Sequence, residues 1–266
     1  LLRALDPRTR VLTIEGSTGF RYESVYFDTP DLLSYRQAAQ ARRHRFKVRT
    51  RSYLDSGLAF LEVKVRGDRE ITVKERLAHD LRARGELTES GRDYAEATLT
   101  ARGLDGSVAR QLSPALVTRY RRITLVPPEP GLRVTVDAEL SWVSPRRHGL
   151  PDGQASHYLP NNGSGRHIWQ PGALYGRKWE QAGEPEELTD LEEPSLALAD
   201  LVIVETKAGA RPSGVDRLLW RSGHRPVSIS KYGTGLAALR DELPANKWAR
   251  VLRHHFQLTE ELARAA

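Results

Sequence analysis

Between residues 44 and 77 apolar and polar side chains alternate with a period of two. In "RFKVRTRSY" (45–53), Arg45, Lys47, Arg49 and Arg51 fall on every second position, with Phe46, Val48, Thr50 and Ser52 between them. Successive side chains of a strand point to opposite faces, so one face would carry four cations in a row. The split recurs in "FLEVKVR", where Glu62, Lys64 and Arg66 oppose Leu61, Val63 and Val65. It recurs again in "ITVKERL", where Thr72, Lys74 and Arg76 oppose Ile71, Val73 and Leu77. Turn residues at 55–57 and 66–70 separate the runs, which predicts strands over 44–53, 58–66 and 70–77 joined as hairpins. Farther along, "VTRYRR" places Arg119 and Arg121 on one face of a strand over 114–126. A strand over 131–143 sets Arg133, Thr135, Asp137 and Glu139 against Leu132, Val134, Val136 and Ala138. One over 200–209 sets Glu205 and Lys207 against Val204 and Thr206.

Helical spacing appears between these runs. After a strand over 21–30, Thr29-Pro30-Asp31 reads as a helix start, with a Thr cap, Pro at the first helical position and an acid in the first turn. Leu32, Leu33, Tyr35, Ala38 and Ala39 continue that helix to about 41. Residues 88–103 form a second, between Thr88 as cap and Gly103 as stop. Residues 212–223 form a third, between Ser213 and Gly223. "PVSISKY" (226–232) reads as extended, followed by helices near 234–243 and 246–256. Residues 144–198 are rich in Gly, Pro, Asn and Ser and read as a long irregular insertion.

Composition sharpens the picture in one place. The chain has 266 residues and a formal charge of +7. Residues 42–76 carry eleven Lys or Arg against five acids, whereas 182–200 carry seven acids and no Lys or Arg. A positive field confined to one region is what an anion site needs. Cysteine is absent, which rules out disulfides and thiolate metal sites. No apolar run approaches the roughly 20 residues of a membrane-spanning helix, and no signal peptide is visible, so a cytoplasmic location is the expectation. Nucleic acid is disfavoured as a partner: aromatics make up 7% of the chain and no stacking motif accompanies the cations.

The expected fold class is α+β, an antiparallel β-barrel of about eight strands with helices packed outside and charges inside, forming one domain over 1–266. A sheet with one charged and one apolar face ordinarily turns its charges to water. Here the charged faces are dominated by Lys and Arg, and several amphipathic helices are available to cover the apolar faces. Unpaired buried charge is costly, so such an interior becomes favourable once a polyanion lies in it. Arginine matches phosphate oxygens in bidentate fashion. The acids beside these cations read as salt-bridge partners, Glu139 above all. Glu205 and Glu62 have a second reading, as ligands for Mg2+ or Mn2+, which take one or two protein carboxylates plus phosphate oxygens.

The ordered series "VYFDTPDLLSYRQ", "RFKVRTRSY", "FLEVKVR", "TVKER", "VTRYRR", "RVTVD", "LVIVETK" and "SISKY" resembles the VTC domain, the polyphosphate polymerase module of vacuolar transporter chaperones and their bacterial relatives. That domain belongs to the CYTH, or triphosphate tunnel metalloenzyme, superfamily. The resemblance covers roughly 20–143 and 200–256. It implies a tunnel in which ATP lies among cations and passes its γ-phosphoryl group to a growing polyphosphate chain, with phosphate or pyrophosphate as the primer left open. Arg49 and Arg51 match the paired arginines that grip phosphate; Lys64, Lys74, Arg119, Arg121 and Lys231 match further cations; Glu205 matches the metal-binding glutamate. Catalysis would fall to Lys231, Arg49, Arg51 and Lys64, and phosphate binding also to Arg45, Lys47, Arg66, Lys74, Arg119, Arg121, Arg133 and Lys207. The family's first strand has no counterpart here, so the chain is expected to begin after it. A separate membrane protein that receives the product stays open as a partner.

Two other readings keep the same scaffold: a triphosphatase that uses water as acceptor, and a non-catalytic module that binds polyphosphate or inositol phosphates. "GTGLAA" (233–238) matches G-x-G-x-x-A but lacks a surrounding βαβ unit, and reads as a helix start packed beside Lys231. His254 and His255 are adjacent on a helix and face different directions, which does not suit a metal pair.

Overall fold

In the computed structural model, residues 2–66, 72–145, 192–198, 200–209 and 211–256 are described. Their nine strands form one antiparallel sheet. Strands β2 (Gly19–Asp28), β3 (Arg45–Tyr53), β4 (Leu58–Arg66) and β5 (Thr72–His79) run from the middle of the sheet to one edge. On the other side of β2 come β6 (Ser113–Val126) and β7 (Arg133–Pro145). β7 then pairs with β8 (Glu192–Leu198) along one half and β9 (Ile203–Lys207) along the other, while the short β1 (Arg10–Val11) pairs with the end of β6. The strands expected from alternation are all present. β8 is a strand inside the segment expected to be irregular, and 146–191 of that segment lies outside the described residues.

The closed barrel is corrected to a curled sheet. Among the described residues no pairing joins β5 to β8 or β9. The two ends nevertheless approach each other, because Lys64 on β4 lies within the electrostatic reach of Lys207 and Glu205 on β9.

Three apolar clusters hold the curl. Val25, Phe27, Phe46, Val48, Leu61 and Val63 on the outer face pack beneath α2 (Glu89–Ala101). Thr88 caps that helix, as the sequence suggests, its hydroxyl accepting from the Gly91 amide. Leu125, Leu132 and Val134 pack beneath α3 (Gly214–Arg221), which opens with a Ser213–Asp216 capping box. The third cluster lies on the inner face. Tyr26, Leu116, Leu140 and Trp142 meet α1 (Leu33–Ala39), α4 (Lys231–Leu239) and α5 (Ala249–His255), which together plug one end of the concave side.

Two helix starts differ from expectation. Pro30 is not the first helical residue. Asp28 takes the Ser34 and Tyr35 amides on its two carboxylate oxygens, Thr29 takes the Leu33 amide, and α1 begins only after Leu32 in a left-handed conformation, with φ of 60°. Lys231 and Tyr232 do not belong to an extended run; Lys231 is the first residue of α4, whose Ser230 cap accepts from Gly233. The glycines of "GTGLAA" serve packing. A Cβ on Gly233 would sit 2.3 Å from the Trp248 ring, and one on Gly235 would sit 2.1 Å from Trp142. Helix α4 can approach both tryptophans only because those side chains are missing.

Candidate phosphate-binding hollow

Strand register decides which charges meet. Tyr26 pairs with Arg49, Arg49 with Glu62, and Glu62 with Arg76; Lys47 pairs with Lys64, and Lys64 with Lys74. Directly paired residues share a face, so the basic rows of β3, β4 and β5 all line the concave side. On the far side Arg122 pairs with Asp137 and Thr135 with Glu205, which places Arg122, Asp137 and Glu205 on the same side. From the plugged end, Lys231 reaches in at the start of α4.

The cations converge. Lys47 Nζ donates to the Ser230 hydroxyl at 2.8 Å, linking β3 to the cap of α4. Lys231 pairs with Asp137, whose two oxygens also accept from Arg122 Nε at 2.6 Å and Nη2 at 2.8 Å. Asp137 is fully buried, so this pair-of-cations arrangement sits at the floor of the hollow. Arg49 donates to one oxygen of Glu62 through Nε at 2.8 Å and Nη2 at 2.6 Å, and to the Tyr26 hydroxyl at 2.9 Å; Lys74 takes the other Glu62 oxygen.

The resulting field bears on the protonation of each group in it. Burial alone would raise the Tyr26 phenol, yet Arg49, Arg51, Lys47 and Lys231 together hold it below its usual value. Burial brings Lys47 down to about 8, aided by repulsion from Lys64 and Arg49. Lys64 is lowered by desolvation and then by Arg49 and Lys207, although its side chain reaches solvent; a residue facing into an open hollow meets both descriptions. Lys231 is lowered by burial against the pull of Asp137. Burial works against the charged form of Glu62, but Arg49 and Arg51 with the Lys74 and Arg49 hydrogen bonds hold it at about 2.

The expected site residues fall into three groups. Lys47, Arg49, Arg51, Lys64, Lys74 and Lys231 share the hollow. Arg45 and Arg66 have the same orientation but lie at its plugged end, paired with each other and near Lys247 on the approach to α5. At the other margin, Arg133 and Lys207 are an exposed cross-strand pair on the face that carries Glu205.

Arg119 and Arg121 require correction. Arg119 pairs across the sheet with Glu23, on the face covered by α2, and donates to it at 3.0 Å beside Arg84 at 2.9 Å. Arg121 lies on the same outer face and bonds Glu139. The cause is parity: Tyr22 faces inward opposite Tyr120, so the inward members of "RYRR" are Tyr120 and Arg122. A bulge in the β6–β7 pairing between Arg119 and Arg121, with Glu139 at φ 54°, turns Glu139 away from the row that holds Asp137.

Both Glu62 oxygens face cations, Arg49 on one and Lys74 on the other, which is the salt-bridge arrangement. Glu205 keeps a half-exposed carboxylate whose ion-pair partner is Lys207 at 3.0 Å. No group of three or more acidic or histidine side chains suited to a metal occurs among the described residues. One hard carboxylate fits a Mg2+ or Mn2+ ion held chiefly by phosphate and water oxygens, and does not fit an all-protein cage. A separate cleft of about 610 Å3, lined by Leu5, Arg8, Pro127, Glu129 and Val215 among others, contains none of the cations of the hollow.

Such a set of converging, part-buried Lys and Arg side chains with few acids concentrates positive charge on one concave surface. The sequence matches the VTC domain family over residues 1–240, and the chain belongs to that family. Among solved structures, it is similar to a putative adenylate cyclase from Bacillus halodurans at 12% identity, covering 50% of this chain and 71% of that one with a TM-score of 0.30. Comparison with curated proteins returns no match. No described helix is long and apolar enough to cross a membrane.

Proposed function

We propose that the hollow binds the triphosphate of ATP and transfers its γ-phosphoryl group to the end of a polyphosphate chain. The supporting observation is the convergence of Lys47, Arg49, Lys64, Arg122 and Lys231 from three strands and a helix onto one concave surface. Membership of the VTC domain family agrees with it. A terminal phosphate oxygen of the acceptor is already ionised, so it attacks the γ-phosphorus without a general base. The bond from that phosphorus to the β,γ-bridging oxygen breaks, and ADP leaves with the electron pair. Positioning and charge neutralisation then account for most of the rate, since phosphoryl transfer asks for little covalent help. Arg49, held rigid by Glu62 and Tyr26, and Lys231, held by Asp137, fix the phosphate oxygens. Lys47 and Lys64 stay cationic more readily once an anion arrives. Glu205 would hold a Mg2+ or Mn2+ ion, which when bound neutralises phosphate charge and orients the β- and γ-oxygens.

Incubation with ATP and Mn2+ tests the reading. The expected result is a ladder of long acid-labile chains on a gel with one ADP per residue added. Release of orthophosphate alone would identify a triphosphatase instead. ATP binding without turnover that survives Glu205→Ala and metal removal would leave a binding module.

A further inference from the structure

We propose that the open end of the hollow is a stacking site for a nucleobase, formed by Tyr53 and Phe60 with Arg76 as a movable cover. This inference rests on the ATP reading above and adds where the base of that donor would lie and which side chains would hold it.

The concave face is asymmetric along its strands. At the plugged end Tyr26, Leu116 and Trp142 are buried under α1, α4 and α5. At the other end register brings Tyr22 opposite both Tyr53 and Tyr120, and Arg51 opposite Phe60. The rings form a continuous set: Tyr22 stacks on Tyr120 at 5.3 Å, Tyr53 lies 4.9 Å from Tyr22, and Phe60 meets Tyr53 edge-on at 6.0 Å. Tyr120 is buried and Tyr22 is enclosed by Tyr120, Arg122 and Arg51, so those two rings are structural. Tyr53 and Phe60 are not: both keep part of their surface in solvent, and neither belongs to the cluster packed under the described helices. The guanidinium of the exposed Arg76 lies 4.9 Å from the Phe60 centroid. A flat cation resting there already occupies a place where a flat heterocycle would stack, and its own long stem lets it close over the outer side of that heterocycle.

A second feature ties this end to phosphate. Arg51 makes no ion-pair contact among the described residues, and its Nε is buried without a hydrogen-bond partner. Arg51 and Tyr53 are two residues apart on one strand face, roughly 7 Å. A nucleotide that put its α-phosphate on Arg51 would therefore bring its base onto Tyr53 and Phe60, with the β- and γ-phosphates running inward to Arg49 and Lys47.

The test compares ATP with inorganic tripolyphosphate by calorimetry at one fixed salt concentration, because the phosphate part of binding is salt-dependent. Wild type should bind ATP more tightly than its phosphate charge alone accounts for. Phe60→Ala should weaken ATP about ten-fold, in keeping with the usual contribution of one base–aromatic stack, and leave tripolyphosphate unchanged. Phe60→Leu, which keeps apolar bulk, and Arg76→Ala should each lose a smaller part of the ATP preference; they also serve if Phe60→Ala fails to fold. Equal losses for both ligands, or no loss for ATP in any folded variant, would overturn the base site. Wild type that binds tripolyphosphate but gains nothing from the nucleoside would overturn it while leaving the phosphate reading intact. Wild type that binds neither would overturn both.

Discussion

Removing the negative charge of Glu62 should lower the stability of the ligand-free protein and raise its affinity for polyphosphate. The carboxylate is buried, with side-chain exposure of 2%, and is gripped by Arg49 and Lys74. Its folded-state value of about 2, against an ordinary 4.5, corresponds to ~3 kcal/mol of favourable interaction with its surroundings. Glu62→Gln keeps the shape and removes that charge, leaving Arg49 and Lys74 to repel Lys47, Lys64 and Arg51 at close range. The expected cost is of the order of 3 kcal/mol, within the range for breaking a buried ion pair from one side. For a chain of this size that is roughly 6–12 °C in Tm.

The pH dependence has a fixed sign. A carboxyl whose value is depressed on folding contributes fully above its unfolded value and loses that contribution as pH falls through the folded one. The gap between wild type and Glu62→Gln should thus be constant from pH 5 upward and close between about 4.5 and 2. Addition of tripolyphosphate at pH 7 should narrow the Tm gap, because the ligand supplies the anion the variant lacks. Urea titration at several pH values, repeated with ligand, reads all three effects. Equal stability of the two proteins at pH 7 would refute the claim that Glu62 is the internal counter-charge of the hollow. A tripolyphosphate affinity that falls in the variant would instead indicate that Glu62 acts through a metal ion.

Arg122→Ala should weaken tripolyphosphate binding at least ten-fold, whereas Arg121→Ala, on the outer face beside Glu139, should leave it within two-fold; calorimetry on the pair checks the strand parity directly. Gly235→Ala should cost about 1–3 kcal/mol by forcing a methyl against Trp142, and should reduce ligand affinity as well, since the displaced α4 carries Lys231. Lys47, with a folded value near 8, is disfavoured in its charged form by the ligand-free fold, so its contribution should make that fold gain stability as pH rises from about 8 toward 10.5. Anion binding should reverse that depression: at pH 8.5, calorimetry in buffers of different ionisation heat should register proton uptake with tripolyphosphate, and less of it in Lys47→Met; equal uptake in the two proteins would place Lys47 outside the site.

The local pattern and the long-range register contributed unequally to what was legible in the chain. The strands and their basic rows could be read from alternation alone, because a half-covered sheet imposes period two on each strand separately. The apolar halves of β3 and β4 pack beneath α2 as that alternation requires, and their cations share the hollow. The run Arg119-Tyr120-Arg121-Arg122 carries cations on both parities, and nothing within it says which faces inward. Tyr22 decides, by pairing with Tyr120 across the sheet and with Tyr53 on its other side, and residues that far apart leave no local trace. The bulge at Glu139 adds a second break in parity, so Asp137 and Glu139, two positions apart in an unbroken-looking alternation, end on different sides. Local sequence also hides how the two glutamates differ: Glu62 and Glu205 look alike in "LEVK" and "VETK", but Arg49 and Lys74 close around the first, while half of the second stays in solvent beside Lys207. The aromatic end of the hollow was hidden most completely. Tyr22, Tyr53 and Phe60 belong to three strands and share no motif, and only strand register gathers them beside Arg51. Charge patterning can therefore point to an anion, while the identity of what the anion is attached to depends on contacts that exist only once the register is set.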